Sequence, residues 1–250
     1  MPLHYLRRLT GRERSQEANR HLAFFLAFIA GASNAGGFLA VQQYTSHMSG
    51  IVSALADNLA LGELGLVLAG FSALVAFLAG AALTAILVNW GRRQHLQSEY
   101  ALPLLLEAAL LLTFGLLGDH LESRRWLFVP ATVVLLCFTM GLQNAIITKI
   151  SQAEIRTTHV TGLVTDIGIE LGKLFYWNSS SHPHHPPVNA DPRKLALLSS
   201  LVGLFFFGGL LGALGFKHLG FISTLPLAAL LVILASMPIL DDLRHWRLHA

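Results

Sequence analysis

Charged residues are scarce in this sequence, and their scarcity excludes an ordinary soluble protein. Asp, Glu, Lys and Arg make up 12% of the 250 residues, against roughly 25% in a typical soluble domain. Hydrophobic residues make up 54%, and the few charges lie between long apolar runs. The composition therefore predicts an integral membrane protein whose main partner is the lipid bilayer.

Cysteine and the signatures of catalysis are also nearly absent. The single cysteine, Cys137, excludes an intramolecular disulfide and a cysteine-rich metal site. The sequence has no nucleophile elbow, zinc-protease motif, phosphate loop or dinucleotide fingerprint. Segment 178–193 holds three close histidines, but its prolines break regular ligand spacing, so we interpret it as a flexible loop. We expect no enzyme activity, no metal site and no cofactor.

Windows of about 20 apolar residues predict an all-α protein with about six membrane-spanning helices. The predicted spans are 21–41, 64–90, 101–117, 126–148, 195–216 and 218–240. Two more segments, 44–63 and 157–177, are helix-like but too polar or too short to be spans. On the fifth span, Gly208 and Gly212 form a small-residue face suited to helix packing, within the chain or in a homo-oligomer.

The positions of Lys and Arg predict the orientation. With six spans and both termini cytoplasmic, only Arg124, Arg125 and Lys217 lie outside, which fits the positive-inside rule better than eight spans do. The basic segment 1–20 is thus a cytoplasmic tail and a topology signal rather than a nucleic-acid footprint, and 241–250 is a second cytoplasmic tail. The expected location is an inner (plasma) membrane.

An internal repeat is the most informative feature of the chain. Each copy has Gly-x-x-Asn-Ala and then a hydroxyl pair followed by histidine, and a weaker match joins 77–80 to 206–209. The matching polar residues are Asn34, Thr45, Ser46 and His47 in the first copy and Asn144, Thr157, Thr158 and His159 in the second. The copies, 21–118 and 119–240, hold three spans each, and an odd number of crossings predicts that they are inverted.

These motifs resemble the YoaK family of uncharacterised bacterial membrane proteins. The resemblance rests on Gly-x-x-Asn-Ala with Thr-Ser-His-Met-Ser-Gly in one copy and Thr-Thr-His-Val-Thr-Gly in the other, and it covers about residues 20–240. It implies a bacterial protein with several membrane spans, and it carries no activity over to this chain.

The repeated polar residues are the candidate substrate- or ion-binding site. Each hydroxyl pair is suited to N-capping a short helix, so we expect two half-helices whose amino ends favour anions. His47 and His159 would lie in the first turns, where a histidine donates a hydrogen bond or takes up a proton near neutral pH. The opposing interpretation is that both motifs only lock the fold. The amides of Asn34 and Asn144 lie inside apolar spans and need hydrogen-bond partners. Each partner is either a polar group of a neighbouring helix or a ligand.

Glu107 lies within the third span, where an acid costs roughly 2.5–3.5 kcal/mol to insert. The sixth span has no acidic counterpart, so Glu107 is a candidate proton-binding residue, unless it lies hydrated near the headgroups. The leading hypothesis is a permease for a small solute, with the paired motifs meeting at a shared centre between the copies. The alternative is a non-transporting sensor or assembly partner in which the motifs are structural.

Overall fold

The computed structural model describes residues 2–12, 14–118, 125–151, 157–178 and 187–249, and within these ranges it contains helices and no strand. The predicted all-α class is therefore confirmed. In chain order the helices are α1 (Pro2–Thr10), α2 (Gln16–Val41), α3 (Met48–Leu61), α4 (Leu64–Arg93), α5 (Ala101–Gly118), α6 (Arg125–Ile150), α7 (Val160–Leu174), α8 (Pro192–Leu219) and α9 (Thr224–His249).

Five stretches are long and apolar enough to cross a membrane, and the last of them, Pro192–Arg244, contains α8 and most of α9. These two helices are separated by a 3-10 turn at Gly220–Ser223. The turn begins at a φ of 66°, a value that glycine adopts without steric cost. The prediction of about six apolar helices is therefore confirmed.

The two polar segments form helices that are too short to span. Helix α3 has 14 residues and α7 has 15, which corresponds to a length of about 21–23 Å. A bilayer has a hydrocarbon core of about 30 Å. Both helices are also shorter than the predicted segments 44–63 and 157–177. Helix α3 packs on α4, and α7 packs on α8.

The largest apolar cluster surrounds the buried side of α2. Leu22, Leu26 and Ile29 on this helix are fully buried, and they join Leu104 of α5 and Leu142 of α6 in one cluster. Helix α2 is thus enclosed by neighbouring helices, whereas the outer sides of α4 and α8 carry exposed leucine and phenylalanine side chains that suit contact with lipid.

The closest helix pairs are α2 with α8 and α4 with α6, and glycine permits both contacts. A Cβ atom on Gly31 would lie 2.0 Å from the Phe205 carbonyl oxygen, and one on Gly141 would lie 2.0 Å from the Phe77 carbonyl oxygen. The backbones could not approach this closely with any larger residue. Gly208 and Gly212 therefore face α2 of the same chain.

A second pair of glycines fixes the register of the repeat. A Cβ atom on Gly80 would lie 2.0 Å from the Phe138 carbonyl oxygen, and one on Gly208 would lie 2.1 Å from that of Phe28. The predicted match of 77–80 with 206–209 is therefore wrong by one residue, because Gly80 has the contacts of Gly208. Three consecutive phenylalanines at 205–207 made the register ambiguous in the sequence.

Helices α2 and α6 run in opposite directions. Between α2 and α6, Asn19 donates to the Ile150 carbonyl at 3.3 Å, and Gln143 reaches the Leu26 carbonyl at 3.5 Å. Residue numbers thus rise along one helix as they fall along the other. The same holds for α5 and α9. Asp242 accepts from the backbone just before α5, while Gly115 near its end meets Thr224.

The first residues of the predicted basic tail form α1, which packs on α9. Arg7 makes a two-bond ion pair with Asp241, at 2.6 and 2.7 Å. Thr10 is buried and donates to the Leu234 carbonyl at 2.7 Å. That carbonyl lies four residues before Pro238, which has no N–H to offer it. Thr10 therefore replaces a hydrogen bond that proline removes from α9.

Candidate functional site

The two repeated motifs have the same local geometry. In the first copy the Ser46 hydroxyl donates to the Asn34 side-chain oxygen at 3.0 Å. In the second copy the Thr158 hydroxyl donates to the Asn144 side-chain oxygen. Each bond joins the segment after a long helix back to that helix, so the amides find their partners within their own copy.

The hydroxyl groups do not cap the short helices, and that part of the prediction is wrong. His47 is the N-cap residue of α3 and His159 is that of α7, and neither side chain makes a capping hydrogen bond. Serine and threonine at 46 and 158 instead bond to asparagine. The amino ends of α3 and α7 therefore lack a side-chain acceptor among the described residues.

Both histidines are exposed, and both lie over a glycine three residues later. A Cβ atom on Gly50 would come within 2.3 Å of the His47 ring, and one on Gly162 would come within 3.4 Å of Nδ1 of His159. The absence of a side chain at these glycines leaves room for the imidazole. The exposed edge of each ring is then available to a solute.

Thr45 and Thr157 are the buried members of the motifs. Their exposed fractions are 1% and 0%, and neither hydroxyl has a hydrogen-bond partner among the described residues. Leaving a buried hydroxyl unpaired costs about 1–3 kcal/mol. Both copies of the repeat therefore carry, at the first threonine of the motif, a buried hydroxyl that is unpaired within the described part of the chain.

The eight residues form two groups at different depths, not one shared centre. Gln143, the neighbour of Asn144, lies beside the Leu26 carbonyl. Asn34 is eight residues further along α2, or about 12 Å along the helix axis. Because α2 and α6 are antiparallel, the motif after α2 lies towards one end of the molecule and the motif after α6 lies towards the other.

A cavity of about 510 Å³ opens beside the first group. It lies between the end of α2, α3, α4 and the first part of α6, and His47 contributes to its wall. Its polar lining comes from Gln42, Gln43, Tyr44, His47, Asn58 and Ser72, and no Asp, Glu, Lys or Arg is among the described residues that line it. The ring of Tyr44 stacks on Phe38 at 4.6 Å. This wall suits a small solute without a strong net charge.

Glu107, on α5, is fully buried. Gln143 donates to its Oε1 at 2.7 Å, while Glu107 Oε2 and Gln143 Oε1 have no partner among the described residues. The described part of the chain places no Lys or Arg in contact with this carboxyl group. A buried carboxylate without a cation is costly, so the arrangement favours the protonated acid.

Comparison with known proteins places the chain in a family. The family model described as "Protein of unknown function (DUF1275)" matches residues 22–237. The chain belongs to the DUF1275 family. This match confirms the resemblance to the YoaK family. No curated protein and no solved structure matches the chain.

The DUF1275 chain has further buried polar residues that the sequence did not single out. Gln143 holds Glu107, and Ser33 occupies the matching place in the first copy with its hydroxyl buried and unpaired among the described residues. Each of these residues lies next to the asparagine of a repeated motif. A polar residue at this place inside an apolar span is the sequence signal that could have identified them.

A cluster near the start of α5 was also missed in this DUF1275 chain. The Arg14 guanidinium lies 4.8 Å from the centre of the Tyr100 ring, and burial lowers the pKa of Arg14 to about 10. Arg92 donates to the Tyr100 hydroxyl at 3.0 Å and lies 3.5 Å from Glu99. Residues this far apart in sequence give no local pattern that predicts their contact.

No metal-binding group of three His, Cys, Asp or Glu residues occurs in the part of the DUF1275 chain that the structure describes. The histidines of the predicted flexible loop fall in residues 179–186, which lie outside that part. Asn178, at the start of this loop, exchanges two hydrogen bonds with the Val188 backbone, at 3.0 and 2.9 Å.

Proposed function

We propose that the chain is a small-solute permease of the bacterial inner membrane, built from two inverted copies of a three-span unit. Each copy contributes one polar group, and the two groups form the outer and inner ends of one pathway. The rocking of the two copies against each other would open one end at a time, as in other transporters with inverted repeats.

Three observations support the inverted duplication. The glycine contacts of α2 with α8 are matched residue by residue by those of α6 with α4. The equivalent helices α2 and α6 run antiparallel. A Leu-Pro-Leu sequence also begins at the second residue of both α5 and α9, at Leu102 and Leu225. An in-plane two-fold axis accounts for all three.

The observation that carries the transport proposal is the pair of buried, unpaired threonine hydroxyls. Thr45 and Thr157 bear the same energetic cost at opposite ends of the molecule. Lipid offers no hydrogen bond to such groups, whereas a water molecule or a polar solute would satisfy them. A structural role alone requires only the asparagine bonds made by Ser46 and Thr158.

Glu107 is the proton site of the proposed permease. It is buried beside Gln143, the only described residue that bonds to it. A neutral acid here would release its proton only when an open pathway brings water to it. Proton movement would thereby be coupled to the opening of one end.

The orientation follows from the positive-inside rule. Basic residues stand at the end of α4, at Arg92 and Arg93, and at the end of α6, at Lys149. With both termini cytoplasmic, these helix ends and α7 face the cytoplasm. The cavity beside His47 then opens to the periplasmic side.

The test is solute entry into liposomes that contain the purified protein. Glycerol, urea, acetate and phosphate serve as probes, and swelling or probe uptake gives the rate. We expect at least one probe to enter faster than into protein-free liposomes. Thr45→Val and Thr157→Val should each slow that entry about tenfold, the effect of about 1.4 kcal/mol on a barrier.

Thr113→Val is the matched control, because Thr113 is exposed and bonds only to the Ala109 carbonyl of its own helix, at 2.9 Å. It should retain the wild-type rate. The proposal fails if no probe exceeds the protein-free rate, or if all three valine variants behave alike. A pH-sensitive dye inside the liposomes tests the proton site. Glu107→Gln should retain solute entry but abolish its dependence on a pH gradient.

The alternative is a non-transporting membrane protein, such as a sensor or assembly partner. The bonds from Ser46 to Asn34 and from Thr158 to Asn144 favour it, because they tie each polar segment to the preceding helix. Under this alternative, Ser46→Ala would lower thermal stability, and the threonine variants would leave every probe rate at the protein-free level.

A further inference from the structure

A basic groove lies at the carboxyl end of α4. It has a volume of about 660 Å³ and is lined by Ile86, Asn89, Trp90, Arg92 and Arg93. Trp90 is 51% exposed and Ile86 is 62% exposed, so the groove faces outward from the helix bundle. Its lining is cationic at one end and apolar at the other.

A third cation reaches the groove from the parallel helix α6. Lys149 Nζ lies 3.3 Å from the side-chain oxygen of Asn89, which is a neutral partner. Arg93 makes no hydrogen bond or ion pair within the described part of the chain. Arg92 is held by Tyr100 and Glu99. Two of the three positive charges are thus uncompensated by described residues.

The order of side chains along α4 matches the order of groups in a phospholipid. Ile86 comes first, Trp90 follows and Arg93 is last, over seven residues or about 10 Å. An apolar side chain suits the acyl region, tryptophan suits the interface, and arginine suits the phosphate. Basic pockets between helices on the cytoplasmic side bind anionic headgroups in this way.

We propose that this groove binds one anionic phospholipid. Its phosphate lies between the guanidinium of Arg93 and the ammonium of Lys149, and an acyl chain lies along Trp90 and Ile86. The orientation given above puts the lipid in the cytoplasmic leaflet. This binding does not depend on transport, so it stands or fails separately from the permease proposal.

The test is lipid binding to the purified, delipidated full-length protein, measured by native mass spectrometry. Phosphatidylglycerol is the anionic probe and phosphatidylcholine is the zwitterionic comparison. We expect wild type to bind one phosphatidylglycerol more tightly than any phosphatidylcholine. Arg93→Gln and Lys149→Gln should each weaken this binding about fivefold, the effect expected of one basic residue near an anionic surface.

The control removes two charges from the same proposed face but outside the groove. Arg8 and Arg193 are both exposed, and the variant Arg8→Gln/Arg193→Gln should bind phosphatidylglycerol as wild type does. Equal loss in the control and the groove variants would overturn the proposal, because it would show diffuse attraction to a basic surface. Equal binding of the two lipids would also overturn it.

Inorganic phosphate separates a lipid site from a site for a free anion. Competition by millimolar phosphate at the tight site would contradict lipid binding, and absence of competition would support it. If Lys149→Gln lowers the thermal transition of the protein without added lipid, Arg93→Gln alone decides the outcome. Arg93 makes no bond within the described residues, so its exchange should leave the fold unchanged.

Discussion

At the scale of single residues, Thr10 shows how a buried hydroxyl finds its partner on a helix that is distant in sequence. Its hydroxyl donates to the Leu234 carbonyl, 2.7 Å away, which Pro238 leaves without its usual helical partner. In an apolar environment such a carbonyl has no substitute donor. The Thr10 hydroxyl thus joins α1 to α9 and supplies the hydrogen bond that Pro238 cannot donate within α9.

Replacing Thr10 with valine should weaken the attachment of α1. The loss of one buried bond costs about 1–3 kcal/mol when the partner stays unpaired. Amide hydrogen exchange in α1 measures the effect directly, and faster exchange is expected there. In a Pro238→Ala background the residue at 238 regains an N–H, so Thr10→Val should cost less. Equal costs in both backgrounds would contradict this account.

The residue scale also shows where sequence reasoning succeeds and where it stops. The need of Asn34 and Asn144 for partners follows from an amide inside an apolar span, and both have hydroxyl partners. The N-cap assignment of those hydroxyls was wrong, because His47 and His159 occupy the N-cap positions, and the hydroxyls of Ser46 and Thr158 donate to asparagine instead of accepting from the backbone N–H groups of α3 and α7. Gln143 was overlooked, since its partner Glu107 lies 36 positions away.

At the scale of elements, glycine decides which helices meet. Gly31→Ala or Gly141→Ala would place a methyl group 2.0 Å from a backbone carbonyl oxygen of the neighbouring helix. Backbone cannot move aside as a flexible side chain can. We expect each exchange to lower the free energy of unfolding by about 1–3 kcal/mol, seen as a lower thermal transition in detergent.

Gly203→Ala is the matched control for these variants. Gly203 lies in α8, and nothing surrounds the place of its Cβ atom within 4 Å. Alanine favours a helix by about 1 kcal/mol over glycine, so this exchange should not lower the transition. If Gly203→Ala and Gly141→Ala destabilise equally, close packing at the glycines is not what holds the pairs together.

The contact of α7 with α8 should depend on pH through Glu170. Its side chain is 1% exposed and 2.9 Å from Lys173, and it accepts from the Asp191 backbone N–H at 2.9 Å. The backbone bond and the Lys173 bond lower the pKa of Glu170. A lowered pKa stabilises the fold above the ordinary glutamate range, and this stability is lost as the pH falls through the folded-state pKa.

Thermal transitions measured from pH 7 down to about pH 3 test this dependence. Wild type should lose stability at the acidic end, while Glu170→Gln should start lower and change less across the range. Glu63→Gln serves as control, because Glu63 is exposed and should follow wild type. An unchanged pH profile in Glu170→Gln would contradict the role of this carboxylate.

Element boundaries were largely predictable, because hydropathy reports the length of a span directly. The predicted 101–117 and the observed Ala101–Gly118 differ by one residue. The register of α8 was not predictable, since three phenylalanines in a row fit the repeat equally well. The sequence analysis did not predict helix α1. Its basic residues indicate a cytoplasmic tail whether or not the segment is helical.

At the scale of the whole molecule, the direction of each helix determines what the repeated motifs can do. An inverted repeat was expected to bring both histidines to one centre. The antiparallel pairing of α2 and α6 instead leaves Asn34 and Asn144 about 12 Å apart along the axis. No sequence pattern indicates this separation, because the depth of a motif depends on which helices pair.

The two ends of the proposed pathway can be tested by their sides of the membrane. His47→Cys and His159→Cys, each made in a Cys137→Ser background, are treated with a membrane-impermeant thiol reagent in intact spheroplasts and after lysis. We predict labelling of the cysteine at 47 in intact spheroplasts and of the cysteine at 159 only after lysis. Labelling of both from the same side would contradict the inverted arrangement.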